Sequence, residues 1–371
     1  MLLPRNLRLV AKFSSVLTLS VLPALLHADS FTQVNLVSST PGVAATTDAN
    51  LQDPWGFAYS ATSPFWISNQ GSNTSTLYDG AGNKSALTVT IPGVGGTGPA
   101  GPTGQVFVGG LNFGLSNGSS ANFIFDTLQG TIAGWNSAAG TTAITMSTIN
   151  GAVYTGLAEA SSGGSNYLYA ADSTGQIRVF NNTFTPVSLT GNFTDPNAIA
   201  GYVPFNIQLI GSQLYVTYAR LNNQGIPLTG GYVDIFNTNG TFVSRFATGG
   251  PLYGPWGVAQ APASFGSLGG DILIGNNGGT GEISAFNPVT GQFVTTLDGT
   301  DGQPIQNQDL WAIGFRTGGT NDNTNDLYFT AGENNQNVFG EIVGTPEPAS
   351  VVLTGFGILS MGLFTLLRKR E

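Results

Sequence analysis

Short runs of alternating hydrophobic and polar residues fill most of this chain, and the stretch 254–302 shows the pattern most clearly. Segments rich in β-branched and aromatic residues lie there at 254–258, 271–276, 282–287 and 293–297. Each segment is bounded by Gly, Asn, Asp or Pro, which favour tight turns. The stretch therefore predicts four consecutive antiparallel strands in one small sheet.

The same unit recurs along the chain at intervals of 48–55 residues. The third segment of most units ends in an aromatic residue followed by Asp or Asn, whose side chain can bond its own backbone and start a turn. A repeat of this length with four strands is typical of a propeller blade, so six units predict one all-β, six-bladed β-propeller. One residue marks the first strand of each unit, and five of the six markers are aromatic: Trp55, Thr103, Tyr154, Phe205, Trp256 and Trp311.

The first strand of the chain has no blade of its own. Residues 30–37 alternate like a strand but precede the first unit, whereas the sixth unit has only three segments, the last at 338–342. We predict that the N-terminal strand completes the sixth blade. This closure would join the chain ends and cover a sheet edge that would otherwise invite aggregation.

The N-terminal 28 residues have the layout of a secretory signal peptide. Three basic residues within the first twelve precede an apolar run at 13–26, and small Ala28 stands before the predicted cleavage point. The alternative is an uncleaved membrane anchor. Both interpretations predict export, with the propeller domain spanning residues 29–344.

A third segment, 345–371, follows the predicted propeller. A Pro-Glu-Pro motif precedes nineteen uncharged residues at 349–367, enough to span the hydrocarbon core of a membrane as a helix. A basic cluster ends the chain and would hold the C-terminus in the cytoplasm. The motif and the cluster consist of Pro346, Glu347, Pro348, Arg368, Lys369 and Arg370.

This tail resembles the PEP-CTERM sorting signal of Gram-negative bacteria, with Thr345 in place of the usual Val before the motif. The resemblance implies that an exosortase recognises residues 346–348 and removes the span. The precursor would be anchored in the inner membrane, and the body would reach the cell surface or the exopolysaccharide of the extracellular matrix. The alternative is an ordinary single-pass anchor that stays in place.

The body is also similar to an uncharacterised family often found with this tail, whose repeats resemble NHL blades. The segments 53–58 and 254–259, which begin Asp-Pro-Trp-Gly and Gly-Pro-Trp-Gly, carry this resemblance. The resemblance implies a fold and no activity, because function resides in sites and not in folds.

Composition excludes several function classes. The chain has no Cys, and its single His, His27, falls in the predicted signal peptide, so the mature protein would lack His-based catalytic triads and ordinary zinc sites. Residues 29–344 contain five basic and 18 acidic residues, a net charge of −13. Nucleic acid is a poor partner for such a surface, and cations or neutral polymers are favoured.

The markers predict an aromatic ring at one mouth of the central channel, because the innermost strands of a propeller line that channel. Aromatic faces beside carboxylates could stack on sugars. The alternative is that these side chains pack between blades, as large residues at repeated positions usually do. The predicted ligand-binding residues are Trp55, Trp256, Trp311, Tyr154, Asp53 and Asp309, with Phe205 beside them.

Oxygen-bearing side chains end several second strands and predict a weaker metal site. In a protein without Cys or His, such ligands suit Ca²⁺. They suit hydrogen-bonded turns equally well. The residues are Asn69, Asp126, Asp172 and Asn276, and the polar loop 321–326 is a further weak candidate.

Two functions remain after these exclusions. The favoured one is a non-catalytic exported propeller that binds a matrix glycan or another surface protein. The alternative is a calcium-dependent hydrolase or lactonase with carboxylates at the channel mouth, for which Glu159 and Glu333 are available. Shape and aromatic side chains are enough for the first, whereas the second needs a carboxylate constellation that no spacing in the sequence defines.

The tail predicts where the mature protein ends. If the sorting signal is removed, mass spectrometry of the cell-surface fraction should find a C-terminus within residues 346–349. An intact chain ending at Glu371 in that fraction would instead show an ordinary anchor.

Overall fold

The computed structural model describes residues 29–316, 318–332 and 336–345. The described chain opens with β1 (Ser30–Ser38) and β2 (Thr46–Thr47). Blade 1 follows with β3 (Pro54–Ala58), β4 (Phe65–Asn69), β5 (Thr74–Tyr78) and β6 (Lys84–Thr90). Blade 2 has β7 (Pro102–Phe107), β8 (Phe123–Thr127), β9 (Thr131–Trp135) and β10 (Ile144–Thr148).

The remaining blades repeat this arrangement. Blade 3 has β11 (Tyr154–Ser162), β12 (Ser165–Asp172), β13 (Gln176–Phe180) and β14 (Pro186–Val187). Blade 4 has β15 (Val203–Ile210), β16 (Gln213–Ala219), β17 (Tyr232–Asn237) and β18 (Phe242–Thr248). Blade 5 has β19 (Pro255–Gln260), β20 (Ile272–Asn276), β21 (Ile283–Phe286) and β22 (Phe293–Thr296). Blade 6 starts with β23 (Leu310–Gly314), β24 (Leu327–Ala331) and β25 (Val338–Thr345).

The sheets confirm an all-β, six-bladed propeller. Blades 1 to 5 each form one four-stranded antiparallel sheet in chain order, and blade 6 has the order β2-β1-β25-β24-β23. Closure by the N-terminal strand is also confirmed, since β1 pairs antiparallel with β25 from Ser30 opposite Thr345 to Ser38 opposite Val338. Two features were not predicted. The short β2 adds a parallel fifth strand, and β25 extends to Thr345, one residue beyond the predicted end of the propeller.

Apolar packing reinforces the seam between blades 6 and 1. Phe65 of β4 lies 4.6 Å from the ring of Tyr328 and 5.2 Å from that of Phe339, between ring centroids. Leu36 and Val37 of β1 belong to the same buried cluster. The N-terminal strand therefore contributes core side chains as well as hydrogen bonds.

The predicted turns after the third strands are also confirmed. Asn181 accepts hydrogen bonds from the backbone N–H groups of Thr183 and Thr185, both at 3.0 Å. Asp79 accepts equivalent bonds from Ala81 and Asn83. An Asx side chain thus starts the turn to the outer strand.

Every innermost strand carries a β-bulge at the same place. The register against the second strand shifts after the first one or two paired residues in all six blades. Gly residues at the bulges let neighbouring inner strands touch. A Cβ atom added to Gly104 would lie 2.3 Å from the backbone N of Leu157, and one added to Gly56 would lie 2.8 Å from the carbonyl O of Thr103. The bulges therefore set how closely the blades approach the axis.

Two predicted segments lie outside the described residues: the signal peptide, 1–28, and the part of the sorting signal at 346–371. Across the ranges that are described, no helix is long and apolar enough to cross a membrane.

The closure predicts how a truncated chain behaves. A chain that starts at Asp48 lacks β1 and β2, which leaves β25 as an unpaired edge and exposes Phe339 and Tyr328 at the seam. It should aggregate or lose its cooperative thermal unfolding transition, measured by circular dichroism against a control chain that starts at Asp29. Identical melting curves for the two chains would contradict a structural role for the N-terminal strand.

Candidate functional site

The innermost strand of each blade crosses the ring from one face to the other. We call the face where these strands begin the upper face and the face where they end the lower face. Near the upper face four marker residues meet across the channel axis. Their rings belong to blades 1, 4, 5 and 6, and blades that are not neighbours can touch only across the axis. We call Trp55, Phe205, Trp256 and Trp311 the aromatic plug.

The plug closes the upper end of the channel. The rings of Trp55 and Trp311 stack with centroids 3.4 Å apart, and Trp256 meets them edge-on at 6.3 and 5.8 Å. The Trp256 Nε1–H donates to the carbonyl O of Thr155 in blade 3, at 2.8 Å. The three indoles are only 4–8% exposed, so their faces are covered by one another and by neighbouring side chains.

Tyr154, the predicted fifth member of the ring, lies elsewhere. It is fully buried and packs edge-on against Phe180 of its own blade, with centroids 6.2 Å apart. It shares a buried cluster with Ile124 of blade 2 and Leu168 of blade 3, as expected from the alternative that such residues pack between blades. Ligand binding by the predicted residues stays a prediction. Of the three indoles, only Trp256 reaches the cavity described below.

The structure does bring Asp53 and Asp309 together on the upper face. A methyl group at Gly332 would lie 3.3 Å from Asp53 Oδ1 and 4.0 Å from Asp309 Oδ2. Both residues have left-handed backbone conformations, with φ of 47° and 55°. Burial raises the pKa of Asp53, the indole of Trp55 opposes this shift, and the nearby charge of Asp309 adds to it.

Below the plug the channel widens into a cavity of about 320 Å³. Among the described residues, every side chain that lines it is uncharged, and none is a Ser or Thr. Aromatic rings from blades 1 and 6 share the lining with amide side chains from blades 2, 4 and 5. We call this space the lower cavity. Its main functional groups are Phe57, Tyr59, Gln105, Gln208, Gln260 and Phe315.

The amides of the lower cavity differ in how freely they can bind. Gln105 Nε2–H donates to the carbonyl O of Gly56 at 2.9 Å, which ties blade 2 to blade 1. Asn206 Nδ2–H similarly donates to the carbonyl O of Trp256 at 2.8 Å. Gln208 and Gln260, in contrast, are exposed at the lower end, where Gln260 Nε2–H donates to the carbonyl O of Gly270 at 3.3 Å and its Oε1 faces solvent-accessible space. These two side chains are therefore the ones that a ligand entering from below would meet.

The sequence interpretation missed the residues of the lower cavity. A weak signal exists, because Tyr59, Gln260 and Phe315 each stand four residues after a tryptophan marker. Their identities differ from blade to blade, however, so the repeat does not single them out.

Two of the predicted metal ligands are engaged in turns of their own blades. Asp172 binds Arg178 Nε at 2.6 Å and accepts a hydrogen bond from the backbone N–H of Val153. Asn276 accepts from the backbone N–H of Tyr253 at 2.9 Å. Both residues thus fasten the loop that enters the innermost strand, as the turn alternative requires.

Asn69 and Asp126 differ from each other in position. Asn69 Nδ2–H donates to Thr76 Oγ1 at 2.9 Å within blade 1. The residue of blade 2 equivalent to Asn69 is Thr127, so the prediction that Asp126 occupies a corresponding position is wrong. Since successive strand residues point to opposite faces, Asp126 faces the bulge and accepts from the backbone N–H of Gly104 at 2.6 Å.

The polar loop 321–326 forms contacts within the protein. Asp322 pairs with the fully buried Arg316, with 2.7 Å between Nε and Oδ2, and Asn321 Nδ2–H donates to Asp79 of blade 1 at 2.7 Å. In the part of the chain that is described, no group of three or more His, Cys, Asp or Glu side chains could hold a metal ion. Glu159 lies on β11 outside the lining of the lower cavity, and Glu333 lies outside the described residues.

Comparison with known proteins places this fold in a family. No family profile matches the chain. An uncharacterised protein of Acanthamoeba polyphaga mimivirus is 33% identical over 329 residues, covering 84% of this chain and 78% of the viral protein. A second uncharacterised protein of the same virus is 30% identical over 289 residues, covering 73% and 75%. The chain belongs to the family of these viral proteins.

Several solved structures resemble this chain in fold. A Bacteroides thetaiotaomicron protein of unknown function has a TM-score of 0.53 at 12% identity, covering 86% of this chain and 76% of that protein. The soluble aldose sugar dehydrogenase of Escherichia coli has a TM-score of 0.52 at 11% identity, covering 85% of this chain and 100% of that protein. A streptogramin B lyase has a TM-score of 0.50 at 14% identity, covering 85% of this chain and 97% of the lyase. At these identities the likeness shows the propeller fold alone.

Asp126 predicts a pH dependence of stability. Burial raises its pKa to about 7, against about 3.9 in an unfolded chain. The folded protein therefore holds a proton that the unfolded chain releases, so this contribution to stability is full below about pH 4 and is lost as the pH rises to about 7. The free energy of unfolding, measured by urea denaturation, should fall less steeply across this window in Asp126→Asn than in the wild type.

The exposed Gln292, which has no titratable group, provides the control for this substitution. Gln292→Ala should keep the wild-type slope. If Asp126→Asn keeps it as well, Asp126 is ionised in the folded protein and the predicted shift is absent.

Proposed function

We propose that this protein is an exported, non-catalytic propeller that binds a neutral glycan in the lower cavity. The observation that carries the proposal is the uncharged lining of that cavity within a body of net charge −13. A site for an anion or a cation would place a compensating charge on its walls.

The same lining argues for binding without catalysis. Hydrolysis needs a general acid, a general base or a nucleophile within reach of the substrate. Among the described residues of the wall, the one titratable group is the phenol of Tyr59, and burial raises its pKa to about 12. It therefore stays protonated near neutral pH, and its hydroxyl donates to the carbonyl O of Phe315.

The arrangement of the wall favours a sugar as the ligand. Phe57, Tyr59 and Phe315 offer half-buried aromatic surface from blades 1 and 6, and Gln208 and Gln260 offer amides from blades 4 and 5. A sugar ring has an apolar face for the first group and hydroxyls for the second. At about 320 Å³ the cavity is at the small end of ligand pockets, which run from about 300 to 1,000 Å³, so a small ligand suits it better than a protein surface.

Export and sorting are part of this proposal and rest on the sequence. The tail at 345–371 supports recognition by an exosortase and delivery to the cell surface or the exopolysaccharide, with removal of the membrane span. One structural feature is compatible with processing at both ends. Ser30 Oγ and Thr345 Oγ1 lie 2.6 Å apart, so the chain enters and leaves the body at one point on the lower face.

The amides test the site. Gln208→Ala and Gln260→Ala should each weaken binding of neutral exopolysaccharide about two- to tenfold, because a lost hydrogen bond costs about 0.5–1.5 kcal/mol. Binding is measured by co-sedimentation with purified polysaccharide, and thermal unfolding checks that each variant is folded.

Gln292, exposed on the turn before β22, is the matched control, and Gln292→Ala should bind like the wild type. Equal binding by all three variants would place the site elsewhere. If calcium raised the melting temperature strongly while no neutral polysaccharide bound, the calcium-dependent enzyme would replace this proposal.

A further inference from the structure

The described residues leave the lower cavity with one opening, at the lower face. Its upper end is closed by the aromatic plug, whose indoles stack on or abut one another at the axis and are at most 8% exposed. Leu128 and Leu221, from upper-face loops of blades 2 and 4, pack against the same cluster. A polymer chain therefore cannot pass through the ring from one face to the other.

The side walls of the cavity are closed as well. A Cβ atom added to Gly104 of blade 2 would lie 2.3 Å from the backbone of blade 3, and one added to Gly156 of blade 3 would lie 2.0 Å from Asn206 Oδ1 of blade 4. One added to Gly257 of blade 5 would lie 2.6 Å from the carbonyl O of Trp311 in blade 6. At the other three interfaces, Cβ atoms added to Gly56 and Gly314 would lie 2.8 Å from the carbonyl O of Thr103 and 3.1 Å from the ring of Phe57, and Asn206 donates to the carbonyl O of Trp256. Together these contacts leave no gap between blades through which a chain could leave sideways.

The groups available for recognition lie at both depths of this blind cavity. Gln208 and Gln260 are exposed at the lower rim. Trp256, the plug member that reaches the cavity, and Ala312 form its roof, where only a group that has entered fully can reach them. A long chain lying across the lower face would contact the rim and leave the roof empty.

We infer that the lower cavity recognises the terminus of a neutral glycan chain and not its internal segments. This inference rests on the proposed function and adds to it the part of the polymer that is bound. A terminal sugar can enter a cavity closed on every side but one, whereas an internal sugar is connected in two directions and would need a second exit.

Counting chain ends tests the inference. Neutral exopolysaccharide from the organism that encodes the chain is divided, and one half is partially hydrolysed with acid until a reducing-sugar assay shows about ten times more ends per milligram. With the wild-type protein, saturation binding to the hydrolysed half should rise about tenfold per milligram. Gln208→Ala should have a weaker affinity for both halves, and Gln292→Ala should match the wild type.

The outcomes separate the two proposals. An unchanged or lower capacity per milligram after hydrolysis, with Gln208→Ala still weakened, would overturn end recognition and leave glycan binding in the lower cavity standing. Absence of binding to both halves would overturn both. A tenfold rise that Gln208→Ala does not weaken would show end recognition at another site and would also overturn the inference.

Discussion

The contact between bulged inner strands is the constraint on which the rest of the molecule depends. Each bulge frees backbone carbonyls that cost about 1–3 kcal/mol if buried without a partner. Side chains from neighbouring blades satisfy several of them. Thr103 Oγ1–H donates to the carbonyl O of Tyr154 at 3.0 Å, Gln105 and Asn206 bind the carbonyls of Gly56 and Trp256, and Thr330 binds that of Trp55. Blades joined in this way cannot slide relative to one another, so the width of the channel is set.

A fixed channel width explains why three tryptophans can close it. The indoles come from blades 1, 5 and 6, and their ring contacts depend on the distance of each inner strand from the axis. In blades 1, 4, 5 and 6 the bulge also turns the inner strand, so that the marker residue points to the axis near the upper face while residues farther along line the cavity below. Plug and cavity are consequences of one repeated irregularity, expressed with different side chains in each blade.

The sequence predicts what is local and repeated. Blade number, strand closure and the Asx turns follow from segment spacing and from side chains that act on their own backbone, such as Asn181. Contacts across the axis do not follow from the sequence. The repeat places Trp55 and Trp311 at the same height along the channel, but it does not show that their rings meet. Asp126 shows the other limit: a one-residue difference in alignment reverses the face on which a strand side chain lies. Gln208 carries no pattern that distinguishes it from other glutamines, and Gln260 is marked only by its position four residues after Trp256.

The distribution of charge separates the cavity from the surface around it. Within the described residues, ion pairs engage Lys84, Arg178, Arg245 and Arg316, so these cations are neutralised by acidic neighbours. The excess of carboxylates gives the body a negative field, which repels acidic polymers at long range. The described residues that line the cavity carry no charge, and desolvating an uncharged sugar costs far less than desolvating an ion. The negative field of the body and the uncharged lining of the cavity therefore both favour a neutral ligand. The field repels anions before contact, and the lining offers a bound ion no partner.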